Sequence, residues 1–371
     1  MLRGYAALAH KVIHRMDGLH EIVGAFHLHS EYSDGSLSIP EIAELADEKA
    51  LDFLMFSDHN TLEPKRRGLE GWYGNVLVLI GCEINDPQNQ NHYLAFRIDE
   101  EIEPTVEANV YVRKVRELGG FGVIAHPAEK RSFSETYPPY PWTDWDVDGF
   151  DGIEIWNQLS EWMEGVTRRN IAWRIFHPLR SIRFPVEDTM HRWDRFNLER
   201  RVVGLGGIDV HGFKIKLFGF IPVEIYPYKV QFRSIRMHLL TRKPLRVHQS
   251  RLSFDEAETL VYDALSEGRC FISNFRVGDA QNFRFWAEGE GQTWAMGSRV
   301  HEKMELSFFV ETPLAGDIRL LWNGQVVHRV SGKSLSWRSD MPGVYRTEVL
   351  RMKRGWIYSN PIVNTGLPDG S

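Results

Sequence analysis

The chain has only two cysteines in 371 residues, Cys82 and Cys270. That excludes a disulfide framework and a four-cysteine zinc knuckle. Both read as buried free thiols of a reducing compartment. Long apolar runs are missing as well. Val76-Leu77-Val78-Leu79-Ile80 is far short of the about 20 residues that span a bilayer, and His10 and Lys11 interrupt Tyr5–Ala9 before a signal region can form. A basic excess is also absent: the net charge of −6 argues against a dedicated nucleic-acid binder. Small anionic substrates stay open, because a bound metal supplies positive charge locally. Repeats and low-complexity segments are missing too.

What is present fits an ordinary globular protein, 43% hydrophobic and 25% charged. Its length allows a large domain plus a smaller one. The expected location is the cytoplasm, with a small-molecule substrate, no membrane partner, and nucleic acid limited to nucleotides or short oligonucleotides.

The chemistry gathers first in Gly24–Gly35. A short strand carries His27 and His29, which point to one side if the strand alternates regularly. Asp34-Gly35 is a turn signal that folds a carboxylate back toward them. Two solvated histidines at a surface are the plain alternative for so short a motif. The rest of the chain argues otherwise.

Residues 4–16 suit a short amphipathic helix. Ser38-Ile39-Pro40-Glu41 has a capping-box pattern with proline in the first turn, and Ile42, Leu45, Ala46 and Ala50 follow at helical spacing. Phe53–Phe56 is a strand running into Ser57-Asp58-His59. Val76–Cys82 ends at Glu83, and Tyr93–Phe96 has His92 at its edge. A helix over Thr105–Leu118 stops at Gly119-Gly120. Phe121–Ala125 runs into His126, and Gly152–Trp156 carries Glu154. Trp162, Val166, Trp173 and Phe176 mark one long helix, and another lies around 188–200. Val202–Ile208 ends at Asp209-Val210-His211. Strands alternating with helices predict parallel βαβ units, whose C-terminal strand ends form the site-bearing face.

After a helix over Asp255–Gly268 and a strand at Cys270–Ser273, the texture changes. Glu305–Val310, Ile318–Trp322, Val326–Val330 and Val344–Leu350 read as short strands, with Asn323-Gly324 a hairpin turn. The expected organisation is an α/β domain at 1–273 followed by a small antiparallel β-sandwich at 274–371.

The strand-end polar set is His27, His29, Asp34, His59, Glu83, His92, His126, Asp209 and His211. It holds six of the fifteen histidines. Mixed nitrogen and carboxylate ligands suit zinc, manganese or iron. Nine ligands exceed the needs of one ion, and Glu83 could bridge two ions about 3.5–4 Å apart.

The ordered motifs H-x-H-S-x-x-S-D-G, S-D-H-N, G-C-E, A-H-P and G-I-D-V-H, over residues 22–215, resemble the PHP (polymerase and histidinol phosphatase) superfamily. The resemblance implies a distorted (β/α)7 barrel with two or three divalent metals (Mn, Zn or Fe). It implies a first ion on His27, His29, Glu83 and Asp209, and a second on Glu83, His92 and His126. Asp34, His59 and His211 would hold a third ion or serve as catalytic acid/base groups. The tail segment Gly355–Ile362, with Ala264–Arg269 before it, is similar to the carbaryl-hydrolase-like (CehA/McbA) branch, whose named members cleave carbamates or amides.

The expected activity is therefore a metal-dependent phosphoesterase on a small phosphorylated metabolite or nucleotide. Lys130 and Arg131 are candidate phosphate-binding residues. One alternative is a carbamate, amide or ester hydrolase on the same site; the other is a non-catalytic metal-bound scaffold. Gly204-Leu205-Gly206-Gly207 lacks the third glycine of a dinucleotide fingerprint and reads as backbone passing close to the metals. Asp58 and Glu154 are expected to support ligands. Tyr137, Tyr140, Trp142, Trp145 and Trp156 either wall the pocket or pack beneath the loop.

Overall fold

The computed structural model describes residues 18–131, 133, 138–217, 220–247 and 250–366. The expected helix over 4–16 and Tyr137 lie outside them. β1 (His20–Leu28), α1 (Ile39–Asp47), β2 (Phe53–His59), α2 (Glu63–Arg66), β3 (Gly71–Tyr73), β4 (Val76–Ile84) and β5 (Tyr93–Phe96) come first. α3 (Ala108–Glu117), β6 (Phe121–Ile124), β7 (Gly152–Asn157), α4 (Gln158–Glu164), α5 (Ile171–Phe176), α6 (Glu187–Glu199) and β8 (Val203–Gly207) follow. Every residue of β4 is buried, as expected for a strand covered on both faces. The α1 cap forms as read: Glu41 Oε2 accepts from the Ser38 backbone N–H at 2.8 Å.

β1 pairs in parallel with β2, β2 with β4, β6 with β7 and β7 with β8. The chain then returns to its start. Ile208 N donates to Phe26 O at 3.0 Å, Asp209 N to His27 O at 2.8 Å, and His29 N to Val210 O at 3.2 Å. The C-terminal ends of first and last strands are thereby tied together.

Two departures from the sequence reading matter. β5 is antiparallel to both β4 and β6. The connection from Ile84 to Tyr93 is too short for the helical crossover that a parallel neighbour needs. Trp162–Phe176 is also two helices rather than one. Asn170 Nδ2 donates to Gly165 O at 2.8 Å, and Asn170 Oδ1 accepts from Thr167 N at 2.8 Å, closing a turn between α4 and α5.

Beyond β8 come a hairpin of β9 (Phe213–Leu217) and β10 (Ile221–Ile225), α7 (Tyr228–Gln231), and β11 (Ile235–Thr241). A small hairpin of β12 (Arg246–Val247) and β13 (Ser250–Arg251), then α8 (Phe254–Ser266) and β14 (Cys270–Asn274), lead to the tail. β11 extends the sheet from β1 in antiparallel sense, and β14 follows β11. The tail holds β15 (Arg284–Gly289), β16 (Gln292–Ala295), β17 (Arg299–Val300), β18 (Leu306–Trp322), β19 (Gln325–Ser339), β20 (Gly343–Arg351), β21 (Arg354–Ser359) and β22 (Ile362–Asn364).

β18 runs unbroken where two short strands were expected, with a register shift between Glu311 and Gly316. Asn323 and Gly324 both take positive φ, +48° and +81°, in a two-residue turn between β18 and β19. β14 pairs with β21, so the sheet continues across residue 273. The two hydrophobic cores interlock there: Phe271 packs with the tail core and Tyr358 with the main one.

Candidate metal centre

His27 reaches the site through a bulge. β1 and β2 pair Phe26 with Met55 but Leu28 with Phe56, which leaves His27 as the extra residue, at φ +65°. Regular alternation is therefore not what joins His27 to His29; the bulge re-aims one side chain toward the other. Asp209 at φ +49° and His126 at φ +26° are also left-handed. Such backbone costs about 1–3 kcal/mol per residue and persists where its surroundings over-determine it. Here the β1–β8 hydrogen bonds hold Asp209, and His126 N donates to Glu154 Oε2 at 2.8 Å.

Glu83 lies at the centre. His59 is its register partner across β2 and β4. Glu83 Oε1 faces His92 Nδ1 at 2.7 Å and His126 Nε2 at 3.1 Å. Oε2 faces His27 Nε2 at 3.2 Å, His29 Nε2 at 3.2 Å and His59 Nδ1 at 3.4 Å. Asp209 Oδ1 stands 3.5 Å from His27 Nε2 and 3.4 Å from His29 Nε2. Asp34 Oδ1 approaches His211 Nε2 at 3.2 Å, and His29 Nδ1 and His59 Nε2 at 3.8 Å each.

All nine strand-end residues of the sequence reading thus come together. Their ligand atoms form four overlapping groups, each spanning no more than 4.8 Å: His29/Asp34/His59/His211, His27/Glu83/His126, His27/His29/Asp209 and His59/Glu83/His92.

The donor chemistry fits divalent cations. His29 Nδ1 and Nε2, His92 Nε2 and His126 Nδ1 are buried without a hydrogen-bond partner among the described residues. His29 Nε2 lies 3.2 Å from Glu83 Oε2 and 3.4 Å from Asp209 Oδ1 without hydrogen-bond geometry to either. Charge balance agrees. Burial alone would lower the pKa of His29, but Asp209 and Glu83 outweigh it and raise it to about 10. Burial of His126 is likewise outweighed, by Glu129 and Glu83, giving about 9. Burial would raise Glu83, but His27, His59, His92 and His126 hold it well below the carboxylate range. His59 goes the other way: burial and the neighbouring imidazoles bring it down to about 3 despite Glu83 and Asp34. Protons on His29 and His126 offset the buried carboxylates, a charge balance that bound cations would equally supply.

The supporting residues divide. Glu154 Oε1 accepts from His27 Nδ1 at 3.0 Å, leaving Nε2 as the ligand nitrogen. Asn157 Nδ2 donates to Glu154 Oε2 at 2.9 Å and to Asp209 Oδ2 at 3.2 Å, which turns Oδ1 inward. Among the described residues Asp58 bonds no histidine. It accepts at 2.7 Å each from Ser30 N, Ser30 Oγ and Ser33 Oγ, clamping the turn that carries Asp34. Sequence reasoning missed Tyr228, whose buried hydroxyl lies 2.8 Å from His29 O and 2.9 Å from His211 O. Among the glycines, a Cβ at Gly207 would overlap Glu154 Oε1, whereas Gly204 and Gly206 meet Trp193, Ile235 and Ile272 of the core.

Arg131 is engaged with protein groups. It pairs with Glu129 and lies over Tyr140, whose ring stacks on His92 at 5.0 Å. Lys130 is exposed at the rim of a shallow pocket shared with His126 and Glu154. Trp142 and Trp156 are buried in the core, and Trp145 packs on Phe196.

No family model matches the chain, and no curated protein does. Three solved structures align loosely. A two-domain protein from Bacteroides vulgatus, containing a predicted PHP-like metal-dependent phosphoesterase, shares 13% identity over 93% of this chain and 96% of its own, with a TM-score of 0.44. A candidate metal-dependent phosphoesterase from Bifidobacterium adolescentis shares 15% over 56% and 94%, at 0.28. An amidohydrolase from Chromobacterium violaceum shares 13% over 51% and 87%, at 0.31. Overlaps this loose decide nothing about function, and the site itself carries the reading.

Proposed function

We propose that the chain is a metal-dependent hydrolase of the PHP type, a phosphoesterase acting on a small phosphorylated metabolite or nucleotide. The observation that carries this is Glu83, buried and facing different histidines with its two oxygens, as a carboxylate between two ions must. His27, His29 and Asp209 would hold one ion with Glu83; His92 and His126 would hold a second from the other oxygen. His29, Asp34, His59 and His211 form the group for a third. When bound, such ions lower the pKa of water and polarise the scissile bond.

The chain's own residues do the rest. His211 Nδ1 lies 3.1 Å from Asp209 O and donates to it, so Nε2 is the nitrogen that faces Asp34. With only two ions bound, the Asp34–His211 pair would instead handle the proton of the leaving oxygen at Nε2. His59, neutral because of its low pKa, serves as a ligand or base rather than an acid. The β-rich segment after residue 273 is a separate unit in this reading, joined to the hydrolase unit through β14.

A second reading keeps the site and changes the bond to a carbamate, amide or ester. Arg131 favours it, because pairing with Glu129 removes one of the two cations expected to grip phosphate. The tail's similarity to the carbaryl-hydrolase-like branch points the same way. Manganese- or zinc-loaded protein assayed on bis-p-nitrophenyl phosphate, p-nitrophenyl phosphate and 1-naphthyl N-methylcarbamate separates the two. Phosphate-ester cleavage supports the first reading, carbamate cleavage alone replaces it with the second, and inertness on all three returns the scaffold alternative.

A further inference from the structure

The connection from α4 to α6 has an unusual composition. Residues 165–186 contain Arg168, Arg169, Arg174, Arg180 and Arg183 and no aspartate or glutamate, in a chain of net charge −6. It follows α4, which itself starts from the end of β7 that carries Asn157 of the candidate metal centre. α5 in this segment buries none of its residues. Trp173 and Phe176, three apart on one face of it, are 46% and 69% exposed, and Phe184 is 43% exposed.

Arg168, Arg169, Arg180 and Arg183 are exposed and pair with no carboxylate among the described residues. Further arginines share the region: Arg354 lies within electrostatic reach of Arg183, and Arg276 of Arg354 and Arg180, while Glu161 and Glu164 offset Arg174 and Glu161 also faces Arg354. Two of the polar side chains that could read a base edge are spent internally. Asn170 closes the turn before α5, and Ser181 Oγ donates to Pro178 O at 2.6 Å. What faces outward is mainly guanidinium and apolar ring, with Thr167 and His177 beside them. A second copy of this face would oppose arginine to arginine.

We propose that Arg168–Phe184 docks the protein on an anionic lipid surface, with Trp173 and Phe176 entering the headgroup layer and the arginines pairing with lipid phosphates. No described helix is long and apolar enough to cross a membrane, so the contact is peripheral. It revises the expectation of no membrane partner and is independent of which bond the metal centre cleaves.

Flotation of the full chain with phosphatidylcholine vesicles, with and without 30 mole per cent phosphatidylglycerol (about that fraction suffices for a negative surface potential), tests it. Wild type is expected to float with the anionic vesicles alone, and less so as salt rises. R168E/R169E is expected to weaken partitioning roughly 25-fold, at about fivefold per arginine. W173S/F176S is expected to weaken it roughly tenfold or more. All four side chains are exposed, and circular dichroism checks that the variants fold. Failure to float at low salt, equal binding to neutral vesicles, or unchanged binding by both variants would overturn the proposal. Retention of a single-stranded oligonucleotide in place of vesicles would also overturn it.

Discussion

Glu154 Oε1 and His27 Nδ1 meet at 3.0 Å across 127 residues of chain, both fully buried. This contact fixes which nitrogen of His27 faces Glu83, and the same carboxylate holds the His126 backbone through its other oxygen. One side chain thus positions two ligands that the proposed reading assigns to different ions.

Removing it should therefore weaken metal binding without touching a ligand. Glu154→Ala is expected to lower metal affinity 10–100-fold, read by titration against a competing chelator. Gly207→Ala should reproduce part of the loss, because its Cβ would overlap Glu154 Oε1 and press on His27 Cβ at 2.9 Å. Unchanged affinity in both variants would remove Glu154 from the account.

Metal uptake should expel protons. His29 and His126 titrate at about 10 and about 9 without metal, so both carry a proton at pH 7.5. For a histidine whose pKa folding raises, the stabilisation is complete below about 6.5 and is lost as pH climbs through the folded value. Metal-free protein should therefore weaken between roughly pH 6.5 and 10, while apparent metal affinity rises over that range as protons stop competing. Calorimetry in two buffers of different ionisation heat counts the protons released; a count of zero at pH 7.5 contradicts the charge balance described.

The joint between α6 and the tail is a second buried ion pair. Arg346 donates to both oxygens of Asp194, at 2.7 and 3.0 Å, and the two residues are 2% and 4% exposed. Asp194→Ala leaves a buried guanidinium partly unpaired and should cost about 3–5 kcal/mol in urea unfolding. A cost below about 1 kcal/mol, the range of an exposed pair, would show that the arginine finds water instead.

Lys130 and Arg131 should behave differently. Lys130→Glu should raise KM for a phosphate ester several-fold through charge at the rim. Arg131→Ala should act through the Glu129–Tyr140 contacts and change metal affinity or kcat instead. Equal KM effects on phosphate from the two variants would restore Arg131 as a direct phosphate contact.

The site was legible because its chemistry sits at strand ends, where a buried apolar run stops and a histidine or carboxylate follows. Residue type and position both survive in a linear reading. Strand direction does not: Tyr93-Leu94-Ala95-Phe96 reads the same whether parallel or antiparallel, and only the short approach from Ile84 decided it. The His27 bulge was hidden for a similar reason, since an extra residue in β1 is defined by its partner β2. Trp162 to Phe176 kept helical spacing across a break made by hydrogen bonds from Asn170. Tyr228 gave no signal, because its task is to reach backbone carbonyls 199 and 17 residues away.

The central claim is that the ligands around Glu83 and Asp209 hold catalytic metal. Its most direct test is turnover of bis-p-nitrophenyl phosphate by chelator-stripped protein as manganese or zinc is added back, beside Asp209→Ala. The account predicts no turnover when stripped, recovery that saturates as ions bind, and neither full metal content nor recovery in a variant that still folds. Full turnover by the stripped protein, or by Asp209→Ala, would contradict it.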